Sequence, residues 1–267
     1  MAMFQDKVVV VTGASEGIGR ALCLELAPQR PKLVLAARNE ARLHEAAEQC
    51  QDVGAQVLVV PTDVTDEAAC KNLIDKTVDH FRGIDVLVNN AGGTIWARFD
   101  EVSDLSIFDG LMKLNYMGGV YCTYHALPHL KDARGILVGV SSLAGMSGVP
   151  CRTAYAATKH AQFGFFDSLR IELDGTGVDV VMIAPDFVVT QIHKRALDGN
   201  GEPLGESPLQ ESKVMSAQEC ASLIVDAMTH RRRLVLGSFR GKAGRWLKLV
   251  YPKAIDNIAR RAIESGR

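Results

Sequence analysis

The sequence lacks the features that mark several specialised classes of protein. It has no uninterrupted apolar run of the roughly 18 residues that a membrane-spanning helix needs. Its first residues, MAMFQDKVVVV, contain no basic region followed by a long apolar stretch, so no signal peptide is predicted and a cytoplasmic location is expected. The formal net charge is −1, so the overall balance indicates neither nucleic acid nor membrane as a partner.

Cysteine is present but carries no recognisable pattern. The six cysteines are scattered and form no Cys-x-x-Cys motif, so neither a metal site nor a disulfide framework is predicted. Most lie inside apolar periodic segments, which is typical of reduced core residues in a cytosolic protein. The six positions are Cys23, Cys50, Cys70, Cys122, Cys151 and Cys220.

Short apolar runs alternate with longer amphipathic segments along most of the 267 residues. Helices are expected between these runs, including a long one at 104–130 interrupted at Gly118-Gly119 and another at 153–173. The runs are continuously apolar, which is typical of a parallel sheet covered on both faces. The sequence therefore predicts an α/β, doubly wound fold with a mostly parallel seven-stranded sheet and helices on both faces. The seven predicted strands span residues 7–11, 33–37, 56–60, 84–88, 135–140, 178–183 and 234–236.

Residues 142–159, SLAGMSGVPCRTAYAATK, carry the main candidate for proton transfer. Tyr155 and Lys159 are four residues apart, so on a helix they share one face. An ammonium near a phenol lowers a pKa that starts near about 10, and such a phenol can exchange a proton. A loop that folds back would bring the Ser142 hydroxyl beside it. Taken alone, this spacing is also compatible with an ordinary solvated helix face.

The first strand is followed by a glycine-rich turn, TGASEGIG, that opens a helix. Gly13 permits a tight turn, Gly17 allows close approach to a pyrophosphate, and Gly19 lets the helix pack on the strand. The free N–H groups of the helix N-terminus and its partial positive charge favour phosphates. This arrangement predicts a dinucleotide site.

The end of the second strand indicates which dinucleotide is bound. An NAD enzyme would carry an acidic residue there, but the chain reads Ala36-Ala37-Arg38. Arg38 is suited to pair with a 2′-phosphate, and Ser15 adds a hydroxyl, so NADP is favoured over NAD. Glu16 argues the other way because a carboxylate repels a phosphate.

Two further turns complete the expected cofactor site. Asn90, Ala91 and Gly92 follow the fourth strand, where small residues let a dinucleotide pass the sheet edge. Asp63 follows the third strand and is placed to accept a hydrogen bond from the adenine amine, although an ordinary turn aspartate is an equal alternative.

Together these segments resemble the short-chain dehydrogenase/reductase superfamily in its single-domain form. The resemblance covers residues 5–237 and includes the glycine turn, the NNAG stretch, Asn115 in KLNYMGG, Ser142 in VSSLAG and the YAATK motif. It implies that Tyr155 exchanges the proton with the substrate oxygen while Ser142 hydrogen-bonds that oxygen. It also implies that Lys159 holds the nicotinamide ribose and lowers the phenol pKa, and that Asn115 positions a water.

The resemblance extends to PDFVVT at residues 185–190. It implies that Val188 and Thr190 meet the carboxamide of the cofactor, beside Pro185. Asp186 stands where the family usually has glycine, and its consequence is open. Ile18 in the first turn and Val64 after Asp63 complete the cofactor set that the resemblance implies.

Two segments depart from the strand–helix rhythm. Residues 191–214 are polar and rich in glycine, so they are expected to form a lid on a catalytic domain of residues 1–238. Residues 239–267 form a basic and apolar C-terminal extension; from Arg231 onward there are 11 Lys/Arg and 2 Asp/Glu, a net charge of +9. The extension loosely resembles that of hydroxysteroid-dehydrogenase-like members. It is suited to lie on a membrane surface, to cap a partner subunit's pocket, or to close its own domain. Its apolar stripe comprises Phe239, Trp246, Leu247, Leu249, Val250, Ile255, Ile258 and Ile263.

The resemblance implies an NADP(H)-dependent ketone or aldehyde reductase, reversible to alcohol oxidation, that forms a homodimer or homotetramer. Its substrate is expected to be a small, apolar carbonyl or alcohol compound of lipid or steroid type. The alternative is a non-catalytic nucleotide-binding sensor or scaffold. The expected mouth of the pocket is the lid together with Thr94, Ile95, Trp96, Leu143, Met146, Val149 and Phe187.

Overall fold

A computed structural model of the chain describes residues 3–209 and 214–264. Seven strands lie close to the predicted apolar runs, with ends that differ by at most two residues, and two further strands of two residues each were not predicted. They are β1 (Val8–Thr12), β2 (Lys32–Ala37), β3 (Gln56–Pro61), β4 (Val86–Asn89), β5 (Ile136–Val140), β6 (Asp179–Ala184), β7 (Val188–Val189), β8 (Met215–Ser216) and β9 (Leu234–Leu236).

Seven of these strands form one sheet in the order β3-β2-β1-β4-β5-β6-β9, and every pair in it is parallel. The predicted doubly wound α/β fold is therefore confirmed. The strand order reverses between β1 and β4, so the chain leaves their carboxyl ends in opposite directions. That crevice is where doubly wound sheets bind ligands.

The helices cover the two faces of the sheet. Asp66 caps α3 by accepting a hydrogen bond from Ala68 N. The helices are α1 (Gly17–Leu26), α2 (Glu40–Asp52), α3 (Glu67–Phe81), α4 (Ser106–Met112), α5 (Gly118–Ala133), α6 (Thr153–Glu172), α7 (Ala217–Thr229), α8 (Phe239–Val250) and α9 (Pro252–Glu264).

Alternate residues of the strands point into two separate hydrophobic layers. Val9 and Val11 of β1 pack in one layer with residues of α1, α2 and α7, whereas Val8 and Val10 pack in the other with α3, α5 and α6. Both faces of the strands are buried, which explains their continuously apolar sequence. Five of the six cysteines are buried free thiols, as expected of core residues, and Cys151 is half-buried.

The long helix expected at 104–130 is interrupted earlier than its glycines suggest. Residues 113–117 form a single π-helical turn between α4 and α5, and Gly118 begins α5 instead of breaking it. A Cβ at Gly118 would lie 2.8 Å from Val64 Cγ2, so glycine is needed there for close packing. The irregular turn instead contains Asn115, and such π turns often occur at functional sites.

The C-terminal extension folds as two helices, α8 and α9, that pack against each other. Lys248 Nζ donates a hydrogen bond of 2.7 Å to Met146 O, which ties α8 to the loop after β5. The side chains of Trp246, Leu249 and Val250 remain exposed. Within the described residues, no helix is both long enough and apolar enough to cross a membrane.

Candidate active site

A cavity of about 1310 Å³ opens at the carboxyl ends of the central strands. It brings together segments that lie far apart in the sequence. Of the predicted site residues, Gly19 and Asn115 lie outside its lining. The predicted residues that do line it are Gly13, Ser15, Gly17, Ile18, Arg38, Asp63, Val64, Asn90, Ala91, Gly92, Ser142, Tyr155, Lys159, Pro185, Val188 and Thr190.

The glycine turn leaves no room for side chains. Gly13 and Gly17 have φ values of 69° and 55°, in the region that glycine favours. A Cβ at Gly19 would lie 2.3 Å from Gly13 O, which explains why this residue packs behind the cavity. The turn leads into the N-terminus of α1, where Glu16 makes no side-chain cap. Its shape and free N–H groups fit the pyrophosphate of a dinucleotide.

Thr12 links the end of β1 to the end of β4 and the turn that follows it. Its Oγ1 accepts hydrogen bonds from Asn90 N at 3.0 Å and Ala91 N at 3.1 Å, and donates to Val88 O at 3.2 Å. Asn90 Nδ2 donates to Thr12 O at 2.9 Å. The turns after β1 and β4 are therefore held together at the edge of the cavity.

Two arginines line the cavity just after β2. Arg38 is exposed and follows β2, and Arg42 lies one turn later in α2. Glu16, the residue expected to repel a phosphate, pairs with Arg42 at 2.5 Å and with Arg195 at 2.6 Å. Because these ion pairs offset its charge, Glu16 no longer argues against a phosphate at this place.

Asp63 also lines the cavity, near Arg38. Burial tends to raise its pKa, but hydrogen bonds from the backbone and hydroxyl of Thr65, at 2.9 and 2.8 Å, lower it together with the charges of Arg38 and Lys113. The net result is a pKa below the usual value, so Asp63 is an ionised acceptor.

Tyr155 lies in the first turn of α6 and is 7% exposed. Burial alone would raise its pKa, but the charges of Lys159 and Arg152 and a hydrogen bond with Ser142 outweigh burial, so the pKa falls below 10. Lys159 Nζ lies 5.6 Å from the centroid of the phenol ring. The predicted cation, phenol and hydroxyl are therefore brought together in one buried cluster.

Lys159 is held in place by a short chain of hydrogen bonds. Its Nζ donates to Val140 O at 3.0 Å and to Gln162 Oε1 at 3.2 Å. Gln162 Nε2 donates in turn to Asn115 O at 2.6 Å, within the π-helical turn. Burial lowers the pKa of Lys159, the Tyr155 phenol raises it, and Arg152 lowers it again.

The Asn115 side chain supports the site from behind. Its Oδ1 accepts from Gly93 N at 2.7 Å, and its Nδ2 donates to Gly93 O at 3.0 Å and to Thr158 Oγ1 at 2.9 Å. Asn115 thus connects the turn after β4 to α6, which fixes the backbone on which Tyr155 and Lys159 stand.

The segment after β6 forms another wall. Val188 is buried in β7, and Thr190 lies so close to Gly17 that a Cβ there would be 3.2 Å from its Cγ2. Asp186, in place of the usual glycine, accepts hydrogen bonds from Phe187 N and Ser238 Oγ, both at 3.0 Å. Its carboxylate therefore connects the turn to Ser238, the last residue before the C-terminal extension.

Only some of the residues expected at the mouth of the pocket line the cavity. Leu143, Met146, Val149 and Phe187 line the cavity, with lid residues on the same side. Thr94, Ile95 and Trp96 do not line it; Thr94 and Ile95 are buried behind it, where a bridge joins Ile95 to Leu197 of the lid. Lid residues 210–213 lie outside the described residues. The lid residues lining the cavity are Gln191, Ile192, His193, Arg195 and Val214.

Four residues of the site were not predicted from the sequence. Arg42 is four residues after Arg38, and Gln162 is three after Lys159, so helical spacing alone contained a signal for both. Arg152 is three residues before Tyr155, but nothing local showed that it would be buried. His193 lies in the predicted lid, where no pattern distinguished it.

Comparisons with known proteins agree with this geometry. A family model described as short chain dehydrogenase matches residues 7–200. A protein of Pinus massoniana named 11-beta-hydroxysteroid dehydrogenase is 37% identical over 238 residues, which are 86% of this chain and 67% of that one.

Two solved structures share the fold. A short chain dehydrogenase/reductase from Burkholderia phymatum in complex with NAD has a TM-score of 0.84 and 27% identity, covering 95% of this chain and 96% of that one. An alcohol dehydrogenase from Thermococcus sibiricus complexed with 5-hydroxy-NADP has a TM-score of 0.74 and 25% identity, covering 86% and 95%. The two structures thus hold different cofactors.

Proposed function

Because the chain belongs to the short chain dehydrogenase family, whose members are NAD(P)-dependent oxidoreductases of alcohols and ketones, we propose that it is an NADP(H)-dependent ketone or aldehyde reductase. The observation that carries this proposal is the buried phenol of Tyr155, with its lowered pKa, beside Lys159 in the cavity that also holds the glycine turn. The reaction is reversible to alcohol oxidation.

Tyr155 is the proposed acid and base. In reduction its hydroxyl donates a proton to the carbonyl oxygen, and in oxidation its phenolate removes the proton of the alcohol. Lys159 and Arg152 stabilise the phenolate through their charges, and Ser142 is placed to donate a hydrogen bond to the same substrate oxygen. Bound NADPH supplies the hydride.

The position of Lys159 beside the phenol is also part of the proposal. Its ammonium is linked through Gln162 to the carbonyl of Asn115, so its position is fixed relative to the phenol. We assign Asn115 to positioning this network, because its side chain bonds the backbone of Gly93 and the hydroxyl of Thr158.

The choice of NADP rests on the positive charge of Arg38, which lines the cavity after β2. Ser15 and Arg38 offer a hydroxyl and a guanidinium group, and Glu16 is already paired with Arg42 and Arg195. A 2′-phosphate carries nearly two negative charges, and guanidinium groups bind such oxygens with two parallel hydrogen bonds. Asp63, Val64, Asn90, Ala91, Gly92, Pro185, Val188 and Thr190 complete the proposed cofactor site.

The proposed function is tested with a panel of ketones and aldehydes and each reduced cofactor. We expect turnover, with a higher kcat/KM for NADPH than for NADH. Tight cofactor binding without turnover of any carbonyl or alcohol would contradict the proposal and support the sensor alternative.

We propose that the C-terminal extension, residues 239–267, closes the substrate pocket of its own chain. Gly244 and Lys248 of α8 and Ile255, Ile258 and Ala259 of α9 line the cavity that holds Tyr155. Deleting residues 239–267 should then raise KM for a long-chain ketone and leave KM for NADPH unchanged. Loss of liposome co-sedimentation in the deletion variant, with an unchanged ketone KM, would instead assign the extension to a membrane surface.

We also propose a homodimer through α5 and α6. Tyr124 of α5 and Ile171 of α6 are large apolar side chains that are 72% and 75% exposed in the single chain. Covering such side chains is favourable because it removes apolar area from water. Light scattering should give a mass of at least two chains, and Tyr124→Glu should lower it; a monomeric wild-type mass would contradict the proposal.

A further inference from the structure

Arg152 is a buried cation inside the cavity. It is 4% exposed, stands three residues before Tyr155 and lines the cavity wall. Its Nε and Nη2 both donate to one acceptor, Thr94 Oγ1, at 3.2 and 2.7 Å. A guanidinium has five N–H donors and stays charged in proteins, so most of its donor capacity is not used by this bond.

Among the side chains that the structure describes, no carboxylate pairs with Arg152. Burial lowers its pKa, and only the Tyr155 phenol acts in the opposite direction. The guanidinium instead lies over three rings, with its Cζ 4.2 Å from the centroid of Tyr155, 5.5 Å from Phe187 and 5.7 Å from Trp96. Cation–π contacts offset part of the burial, but a buried unpaired charge is costly.

His193 adds a second polar group to the same wall. Its Nε2 lies 3.1 Å from Val188 O and therefore carries the proton, since a carbonyl can only accept. Its Nδ1 is buried and has no hydrogen-bond partner among the described residues. Burial and the charge of Arg152 lower the pKa of His193 to about 4, so the imidazole is neutral near pH 7. His193 is therefore an uncharged neighbour and does not offset the positive charge of Arg152.

We propose that Arg152 is an anion-binding subsite and that the substrate is an oxo acid, a ketone or aldehyde that carries a carboxylate near its carbonyl. The proposal rests on the proposed reductase function and names its substrate class. The planar guanidinium fork matches a carboxylate, and the aromatic rings and Thr94 hold it in a fixed orientation. Because the guanidinium lies against the ring of Tyr155, the bound carboxylate stands a few bonds from the reacting carbonyl. The apolar walls of the cavity receive the rest of the molecule.

The test compares two aldehydes that differ in charge and by one methyl group, 4-carboxybenzaldehyde and its methyl ester. The 2- and 3-carboxy isomers with their esters sample other distances between carboxylate and carbonyl. The quantity measured is the ratio of kcat/KM for acid over ester at saturating NADPH. A hydrogen-bonded charge pair in a buried site is expected to give a ratio of about 10 to 100 for the best isomer. In Arg152→Met this ratio should fall to about one or lower.

The ratio separates substrate binding from any effect of Arg152 on Tyr155. Removing the cation raises the phenol pKa and changes the rates of acid and ester by the same factor, so this effect cancels in the ratio. Arg98→Met is the matched control, because Arg98 is exposed, pairs with Asp100 and lies outside the cavity lining. It should leave the ratio unchanged. Thr94→Val, which removes the hydroxyl that orients the guanidinium, should lower the ratio partly and provides a second variant if Arg152→Met does not fold.

A wild-type ratio at or below one for all three isomers would overturn the proposal. So would a ratio that Arg152→Met leaves intact, even if the alkaline limb of its pH profile moves. If no aldehyde is turned over, calorimetric titration of benzoate decides the subsite separately from the reductase function, which the wider panel of ketones and aldehydes tests. Benzoate binding that is lost in Arg152→Met and kept in Arg98→Met supports the subsite; no binding to wild type overturns it.

Discussion

Lys159 Nζ lies 5.6 Å from the centroid of the Tyr155 ring, and both side chains are buried on one face of α6. The phenol also contacts Arg152, whose Cζ is 4.2 Å from the ring centroid. Two buried cations therefore act on one buried hydroxyl. In such surroundings charges interact more strongly than in water, which is why the pKa of Tyr155 falls although burial opposes it.

Replacing Lys159 with Met should move the pH dependence of the reaction to higher pH. Oxidation needs the phenolate, so its rate rises as pH increases through the Tyr155 pKa, and reduction falls over the same range. Removing the ammonium raises that pKa, so both limbs should shift upward. The measurement is kcat/KM against pH in each direction at saturating cofactor. Lys159→Arg, which keeps the charge, should shift less; an identical profile in Lys159→Met would contradict the role of Lys159.

Replacing Arg38 with Ala should change the cofactor preference. Loss of a charge-assisted contact to the 2′-phosphate should raise KM for NADPH about 10- to 100-fold and leave KM for NADH within about threefold. Arg20→Ala is the matched control, because Arg20 bonds Gln49 and does not line the cavity. Equal effects of Arg38→Ala on both cofactors would contradict the NADP assignment.

Acidification should destabilise the fold through His193. Its pKa is about 4 in the folded chain and near the usual 6.5 when unfolded, so the unfolded state binds more protons between these values. The free energy of unfolding should therefore fall as pH is lowered from about 6.5 to about 4, by about 3 kcal/mol from this residue. Urea titrations across this range measure it. His193→Gln should flatten the dependence, whereas the exposed His44→Gln should not; the same slope in both variants would contradict the burial of a neutral imidazole.

The sheet and its helices could be predicted because their information is local. Continuous apolar runs and the glycine turn each depend on a few neighbouring residues. The π-helical turn at 113–117 could not be predicted in this way, since Gly118 looked like a helix breaker and proved to be a packing position against Val64. The role of Gly118 depends on its contact with Val64, a residue 54 positions earlier in the sequence.

The electrostatics of the site were the least predictable part. The sequence placed Glu16 near a phosphate, but its neutralisation by Arg42 and Arg195 requires contacts 26 and 179 residues apart. Arg152 looked like a loop residue before a helix, and only the tertiary structure buries it among Thr94, Trp96 and Phe187. Local patterns specify which groups can do chemistry, whereas the charges acting on them are set by the packing of distant segments.

The central claim is that the Tyr155 hydroxyl moves the proton, and Tyr155→Phe tests it most directly because only one oxygen is removed. We predict that kcat for carbonyl reduction falls about 100- to 10,000-fold, since this is the usual contribution of a positioned proton donor. The Kd for NADPH, measured by fluorescence titration of the same preparation, should stay unchanged. A variant that binds NADPH and reduces the carbonyl at close to the wild-type rate would contradict the account.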